Sequence, residues 1–203
     1  MHVFRYLLVL WFSLAALSAE AAETVGTVDR ARGEASVLRQ DQEHALAQGQ
    51  PVQFLDVLRT QDSTRLEARF IDQSVLVLGD NSELTIDEMV YEPDTKGRAV
   101  LRLAKGVFRM TSGQVNKVSG GTLTVHTPLA TIGVRGTDFW GQQSEDTLLM
   151  AVLDDGELFI QTETQAYKLN TPLSAIKIQK DQPVDVFTLS PEQLDAATKT
   201  VAW

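Results

Sequence analysis

The stretch Arg65-Leu-Glu-Ala-Arg-Phe-Ile-Asp-Gln-Ser-Val-Leu-Val-Leu-Gly-Asp-Asn-Ser82 sets the fold class. Leu66, Ala68 and Phe70 alternate with Arg65, Glu67 and Arg69, so one side of an extended chain is apolar and the other wet. Val75 to Leu78 is a continuous apolar run, the pattern of a strand covered on both faces. Asp72-Gln-Ser74 and Gly79-Asp-Asn-Ser82 each end one of these segments. Asp and Asn side chains close turns on the backbone, and Gly supplies positive φ. The two Ser-ended turns fall eight residues apart. That spacing suits short strands with tight corners, as in a β-solenoid, and equally a hairpin meander.

Working outward, the same alternation recurs at Leu84 and Ile86, at Leu123 and Val125, and at Leu158 and Ile160. Leu148 to Leu153 is a second continuous apolar run, and Asp155-Gly156 after it predicts a hairpin. Glu92 to Gly97 reads as a loop tip, and Ser112-Gly113 through Ser119-Gly-Gly121 as the bounds of a flexible connection. Ser190-Pro-Glu-Gln-Leu-Asp-Ala-Ala197 has the form of a short helix, with Ser190 as cap, Pro191 at the first helical position and Glu192 near the positive dipole end. The expected fold is all-β: an elongated solenoid-like or two-layer β domain of short strands over residues 22–187, with a short helical tail over 188–203.

Residues 1–21 read as a secretory signal peptide. Arg5 lies at a weakly basic start, Tyr6 to Leu17 is almost unbroken apolar sequence, and Ala19-Glu-Ala21 has the small-x-small form of a cleavage site. The apolar run is well short of the roughly 20 residues that span a bilayer. No later segment is long and apolar enough to do so, and the expected location is the periplasm. Loss of Arg5 and Glu20 with the leader keeps the net charge at -9. An acidic chain without clustered Lys and Arg is unsuited to nucleic acid or anionic lipid. Cysteine is absent, which excludes thiol catalysis, disulfide staples and thiolate metal sites. Stability must come from core burial, which 43% hydrophobic content can supply.

The candidate site lies in Thr127-Pro-Leu-Ala-Thr-Ile-Gly-Val-Arg-Gly-Thr-Asp-Phe139. Gly133 and Gly136 bracket Arg135, and both are expected to turn the backbone sharply. Pro128 biases Thr127 toward extended geometry. The Arg135 guanidinium, with five donors in a fixed fork, suits a partner's carboxylate or the carbonyls of its own sheet, and the second, a clasp within the domain, is the expectation. Trp140 is expected at the rim of the core, with a sugar platform as the alternative. His44 and His126 lack any ligand spacing, so no metal and no cofactor is expected. There is no Gly-x-Ser-x-Gly elbow. The acidic residues at strand ends, Asp72, Asp80, Asp87 and Asp154 to Glu157, read as solvated turns, with paired carboxylates for glycan hydrolysis as the remote alternative.

Val125-His-Thr-Pro-Leu-Ala-Thr-Ile-Gly-Val-Arg-Gly-Thr-Asp-Phe139 resembles the signature of the FecR family of bacterial extracytoplasmic domains. Asp56-Val-Leu-Arg-Thr60 is similar to a second family segment, with Leu55 where glycine is usual. Phe70-Ile-Asp-Gln-Ser74, Leu78-Gly-Asp-Asn-Ser82 and Gly106-Val-Phe-Arg109 resemble its paired turns and the strand before the signature. The resemblance spans roughly residues 25 to 160. It implies an all-β domain that relays signals rather than performing catalysis. Full-length regulators of the family carry a cytoplasmic anti-sigma segment and a membrane helix before the domain, and receive their signal from an outer-membrane transporter. Here the apolar segment has the form of a cleavable leader. The expectation is therefore a non-catalytic periplasmic binding or scaffold module for an envelope protein. Gly133, Arg135, Gly136, Thr137 and Trp140 are its candidate binding or structural residues, and envelope glycan is the alternative partner.

Overall fold

The computed structural model describes residues 23–203; the expected leader lies outside the described residues. The chain builds two facing layers by visiting them in turn. β1 (Thr24–Arg32) and β4 (Pro51–Gln53) belong to one layer, A. β2 (Ala35–Arg39), β3 (Gln42–Ala45) and β5 (Val57–Thr60) belong to the other, B. β6 (Arg65–Phe70) and β7 (Val75–Leu78) form a hairpin in A, and β8 (Glu83–Glu92) returns to B. β9 (Lys96–Thr111) serves both. Its first part pairs with β8 up to Lys105, and from Gly106 onward it pairs with strands of layer A.

Hairpins then add to each layer alternately. β10 (Thr122–His126) and β11 (Thr131–Arg135) join B, and β12 (Asp138–Gln143) and β13 (Thr147–Val152) join A. β14 (Glu157–Gln161) and β15 (Ala166–Leu169) extend B, while β16 (Ser174–Gln179) and β17 (Asp185–Thr188) extend A. Layer A has the order β4-β1-β6-β7-β9-β12-β13-β16-β17, and layer B the order β3-β2-β5-β8-β9-β10-β11-β14-β15. All neighbours are antiparallel except β9 and β10. The sheet is open, and the two-layer form of the all-β expectation is the one the chain adopts.

The alternating residues read from the sequence fill the space between the layers. Leu66, Phe70, Leu78, Phe108, Phe139 and Ile176 of A meet Leu58, Leu84, Leu101, Val125, Ile132 and Leu158 of B in one buried cluster. Phe108 and Phe139 pack edge to face at 5.6 Å, the arrangement that ring quadrupoles favour. Each such side chain contributes about 1.5–3 kcal/mol on full burial. With no disulfide in the chain, this core is the main source of stability.

A second, smaller cluster covers the outer face of A. It consists of Val107, Trp140, Ala151, Ala175, Ala197 and Val201, with Val77, Leu149, Phe187 and Leu189 against it. The strand registers place Arg30, Glu67, Val77, Arg109, Trp140, Ala151, Ala175 and Phe187 in one row across eight strands. α1 (Pro191–Lys199) starts beside the Phe187 end and runs back along the row, and Trp203 reaches Arg30 at the far end. Ser190 caps the helix as expected: its hydroxyl accepts from the Gln193 N–H, and the Gln193 side chain accepts from the Ser190 N–H.

Three local expectations are corrected. Asp154 to Gly156 does not close a hairpin, because β13 pairs with β12 and β16 while β14 pairs with β11 and β15. The tight turn instead carries the chain from one layer to the other. Residues 113–121 are not a loose connection either. They hold a single 3-10 turn, Val115–Lys117, with Val115 fully buried and its N–H donating to Asp72. Gly133 does not turn: it lies inside β11, opposite Thr124 and Phe159, and its φ is not positive.

Candidate functional site

The signature segment folds as hairpin, strand and corner. Thr127 closes the β10–β11 hairpin: its N–H donates to the Ala130 carbonyl (2.9 Å), and its hydroxyl accepts from the Ala130 N–H (3.1 Å). A short polar side chain thus replaces a backbone partner in the turn. β11 then brings Val134 into the core and Arg135 to the surface. At Gly136 the backbone takes φ +54°, the left-handed conformation that glycine adopts without strain, and the chain crosses to layer A.

Thr137 anchors this corner. Its side chain is buried, and its hydroxyl donates toward the carbonyls of Asp138 (3.0 Å) and Asp154 (3.2 Å). Its N–H donates to the Ser112 hydroxyl (2.9 Å). Gly156, at φ +135°, lies directly against the Gly136 carbonyl and the Thr137 side chain, where a Cβ would collide with both. The two crossings are therefore stacked, and Thr137 bonds one to the other. Asn116, oriented with its amide oxygen toward the corner, accepts from the Gly136 N–H (3.3 Å) and donates to the Val134 carbonyl (3.2 Å).

The same device recurs upstream. Ser82 is buried, accepts from the Val107 N–H (2.9 Å) and donates to the Val107 carbonyl (3.0 Å). It packs against Gly106, whose φ of +97° marks the point where β9 changes layers. Asp72 is fully buried and accepts from the Ser74 N–H (3.0 Å), the Ser74 hydroxyl (2.5 Å) and the Val115 N–H (3.1 Å). Asp56, also fully buried, takes two 2.7 Å bonds from the Arg39 fork and a third from the Gln53 N–H. Hydrogen bonding to Asp56 raises the Arg39 pKa above its ordinary value, with desolvation opposing. The reading of Asp72 as a solvated turn residue is thus overturned. Asp80, at the corresponding place in the next turn, is the partly exposed one and pairs with Arg65.

Arg135 behaves otherwise than expected. It is exposed, and among the described residues its guanidinium has no hydrogen bond or ion pair, so it does not clasp its own sheet. At this corner the arginine that does so is Arg109, whose fork meets both oxygens of Asp138 at 2.9 and 2.6 Å. The bond to Asp138 raises the Arg109 pKa, again with desolvation opposing. Arg135 and Lys117 share a corner cleft of about 350 Å³ with Asp138, Asp154 and Asp155, so both signs of charge are offered there.

Trp140 faces away from this cleft. It is 5% exposed beneath α1, and its indole N–H donates to the Thr200 hydroxyl (3.0 Å). It is neither a rim residue nor a platform for a sugar, because a helix far along the chain covers its face. The sequence signal missed here was Ala197 in α1, a small residue buried against the sheet. Between them remains a cleft of about 250 Å³, bounded by Trp140, Ala151, Ala175, Phe187, Ala196 and Ala197. Among the described residues no group of three His, Asp or Glu side chains converges as metal ligands would. His126 is half-buried, with Nδ1 3.1 Å from the Thr131 hydroxyl, and His44 is exposed.

A family model described as "FecR protein" matches residues 56–158, half of the chain. That span contains Asp56, Asp72, Ser82, Gly106 and Thr137, the buried polar and glycine residues of the turns and corners described above. No curated protein matches the chain. Two crystal structures of a candidate anti-sigma factor from Parabacteroides distasonis share its fold, each at 14% identity. The TM-score is 0.58 for the 2.50 Å structure, which matches 70% of this chain and 64% of that one. It is 0.56 for the 1.65 Å structure, with 69% and 63% matched. The chain thus spans less than two thirds of the length of either.

Proposed function

The chain belongs to the FecR family, and from that premise we propose that it is a non-catalytic periplasmic module of envelope signalling whose partner is a protein. The observation that carries this reading is the division of labour at the signature corner. Asp72, Ser82 and Thr137 spend their hydrogen-bonding capacity within the fold, on the turns and layer crossings that they anchor. Arg135 projects from the same corner uncommitted, lining an open cleft with Lys117, Asp154, Asp155 and the Arg109-paired Asp138. A rigid corner presenting a free guanidinium and both signs of charge suits recognition of a polar protein surface, because the backbone that carries Arg135 is fixed while its donors are not used by the fold. No helix among the described residues is long and apolar enough to cross a membrane.

The family supports an envelope protein that passes a signal inward as the partner class. Replacing Arg135 with a photo-crosslinking residue in intact cells tests this directly. One reproducible envelope protein should be captured there and not at Glu163, on the tip of the β14–β15 hairpin. Equal capture at both positions, or none at Arg135, refutes the assignment of this corner.

A further inference from the structure

The two layers end in four strand edges, and three of them are blunted. β4 is three residues long and begins with Pro51, which has no N–H, while the Pro51 carbonyl accepts from Arg39 (3.0 Å). β3 is exposed at all four residues, polar at three of them, with Glu43 bonded to the Ser36 hydroxyl. β15 carries Lys168, paired with Glu157 at 2.6 Å. The fourth edge, Asp185-Val-Phe-Thr188, has neither proline nor a basic residue within it. Val186 is 52% exposed, and Phe187 borders the cleft under α1.

The backbone of this edge is open in a definite pattern. The Leu189 N–H donates to the Leu173 carbonyl, which fixes the parity of the β16–β17 ladder. Phe187 is therefore hydrogen-bonded to Ala175, and the N–H and C=O groups of Val186 and Thr188 point away from β16. Among the described residues no strand pairs with them.

We propose that two copies of this chain associate through β17, edge to edge and antiparallel, about a two-fold axis between their Phe187 residues. The outward groups lie symmetrically on either side of Phe187, so Val186 of each protomer meets Thr188 of the other. That register makes about four N–H···O=C bonds. It sets Phe187 against its own copy as a non-hydrogen-bonded pair, with Cα atoms about 4.5 Å apart and the rings beside both clefts. Asp185 falls opposite Leu189, so no two carboxylates oppose each other across the strands. A second copy supplies the matching donors and acceptors at the matching spacing, and the contact closes on itself, leaving neither β17 edge open. The net charge of -9 on each chain opposes the approach, so added salt should favour the dimer.

Sedimentation of the purified protein up to about 100 µM, a range that detects micromolar association, tests the proposal. The wild type should dimerise, and Val186→Pro and Thr188→Pro should each weaken association at least about tenfold. Each proline removes one outward N–H and leaves the β16 ladder intact, so unchanged melting of the diluted variants confirms the fold. The chain has no cysteine, which makes a second readout clean. Phe187→Cys should give a disulfide-linked dimer on oxidation, because the expected spacing lies within disulfide reach. Asp185→Cys, with its copies about 13 Å apart, should not. A monomer at every concentration overturns the proposal. So does a dimer indifferent to both prolines, or crosslinking in the Asp185→Cys variant without the Phe187→Cys variant.

Discussion

The indole N–H of Trp140, on β12, donates to the hydroxyl of Thr200 just past the end of α1, across 60 positions of sequence at 3.0 Å. This bond pins the helix onto the outer face of layer A, where the Gly79 backbone also lies close against the Thr200 carbonyl. Thr200→Val leaves the buried indole donor without a partner. It should cost about 1–2 kcal/mol, while Thr200→Ser should cost less than half of that. Thermal melting reads the difference at about 2–4 °C per kcal/mol for a protein of this size. Equal melting of the two variants would mean that the hydroxyl is not what holds α1.

Ala196 sits on α1 at the edge of the cleft of about 250 Å³. Ala196→Leu adds three carbons that reach into space bounded by Ala151, Ala175 and Phe187, at almost no cost in helix propensity. The variant should be more stable by about 1–2 kcal/mol, given about 0.8 kcal/mol per methylene buried. A lower melting temperature would show that the cleft is too shallow to accept the side chain.

The two stacked crossings should respond unequally to a methyl group. At Gly136 a Cβ meets nothing within 4 Å. Gly136→Ala therefore bears only the left-handed backbone penalty of about 1–2 kcal/mol. At Gly156 the Cβ strikes the Gly136 carbonyl and Thr137, so Gly156→Ala should cost clearly more, by about 1–3 kcal/mol. Arg135→Ala should change stability by less than about 0.5 kcal/mol, as at an exposed site without partners. Denaturant midpoints measured side by side give the ranking, and any inversion of it refutes the stacked-corner account.

Asp72 and Asp80 occupy the same place in two similar turns, and only the first is buried. Asp72→Ala strands three donors, on Ser74 and Val115, and should cost at least about 3 kcal/mol. The Asp80 carboxylate is 40% exposed, and its partner Arg65, although buried, also donates to the Thr64 carbonyl. Asp80→Ala should cost about 1–2 kcal/mol, less than Asp72→Ala, because the buried Arg65 keeps its bond to the Thr64 carbonyl. Similar losses at both positions would place the stabilising effect in the turn rather than in burial.

Period-two alternation at Leu66 to Phe70, and again at Leu84, Leu123 and Leu158, was enough to assign strands and to choose their inward residues, because side-chain direction in a strand is set locally. Cap and turn chemistry was likewise legible: Ser190 caps α1, and Gly136 carries the positive φ that its place between strands required. Part of the Thr127 to Phe139 signature was legible for the same reason: Thr127 closes a hairpin, and Gly136 and Thr137 form a corner. What lay beyond the sequence was which layer each strand joins. Asp155-Gly156 turns the chain equally well into a hairpin or into a crossing, and only competition among hydrogen-bonding edges sends β14 to β11. Trp140 and Asp72 were misplaced on the surface because what covers them comes from α1 and from the turn at Val115, remote in sequence. Local chemistry determined the strands and corners of this chain; the pairing of distant edges decided which of its polar and aromatic groups are buried and which, like Arg135, remain free.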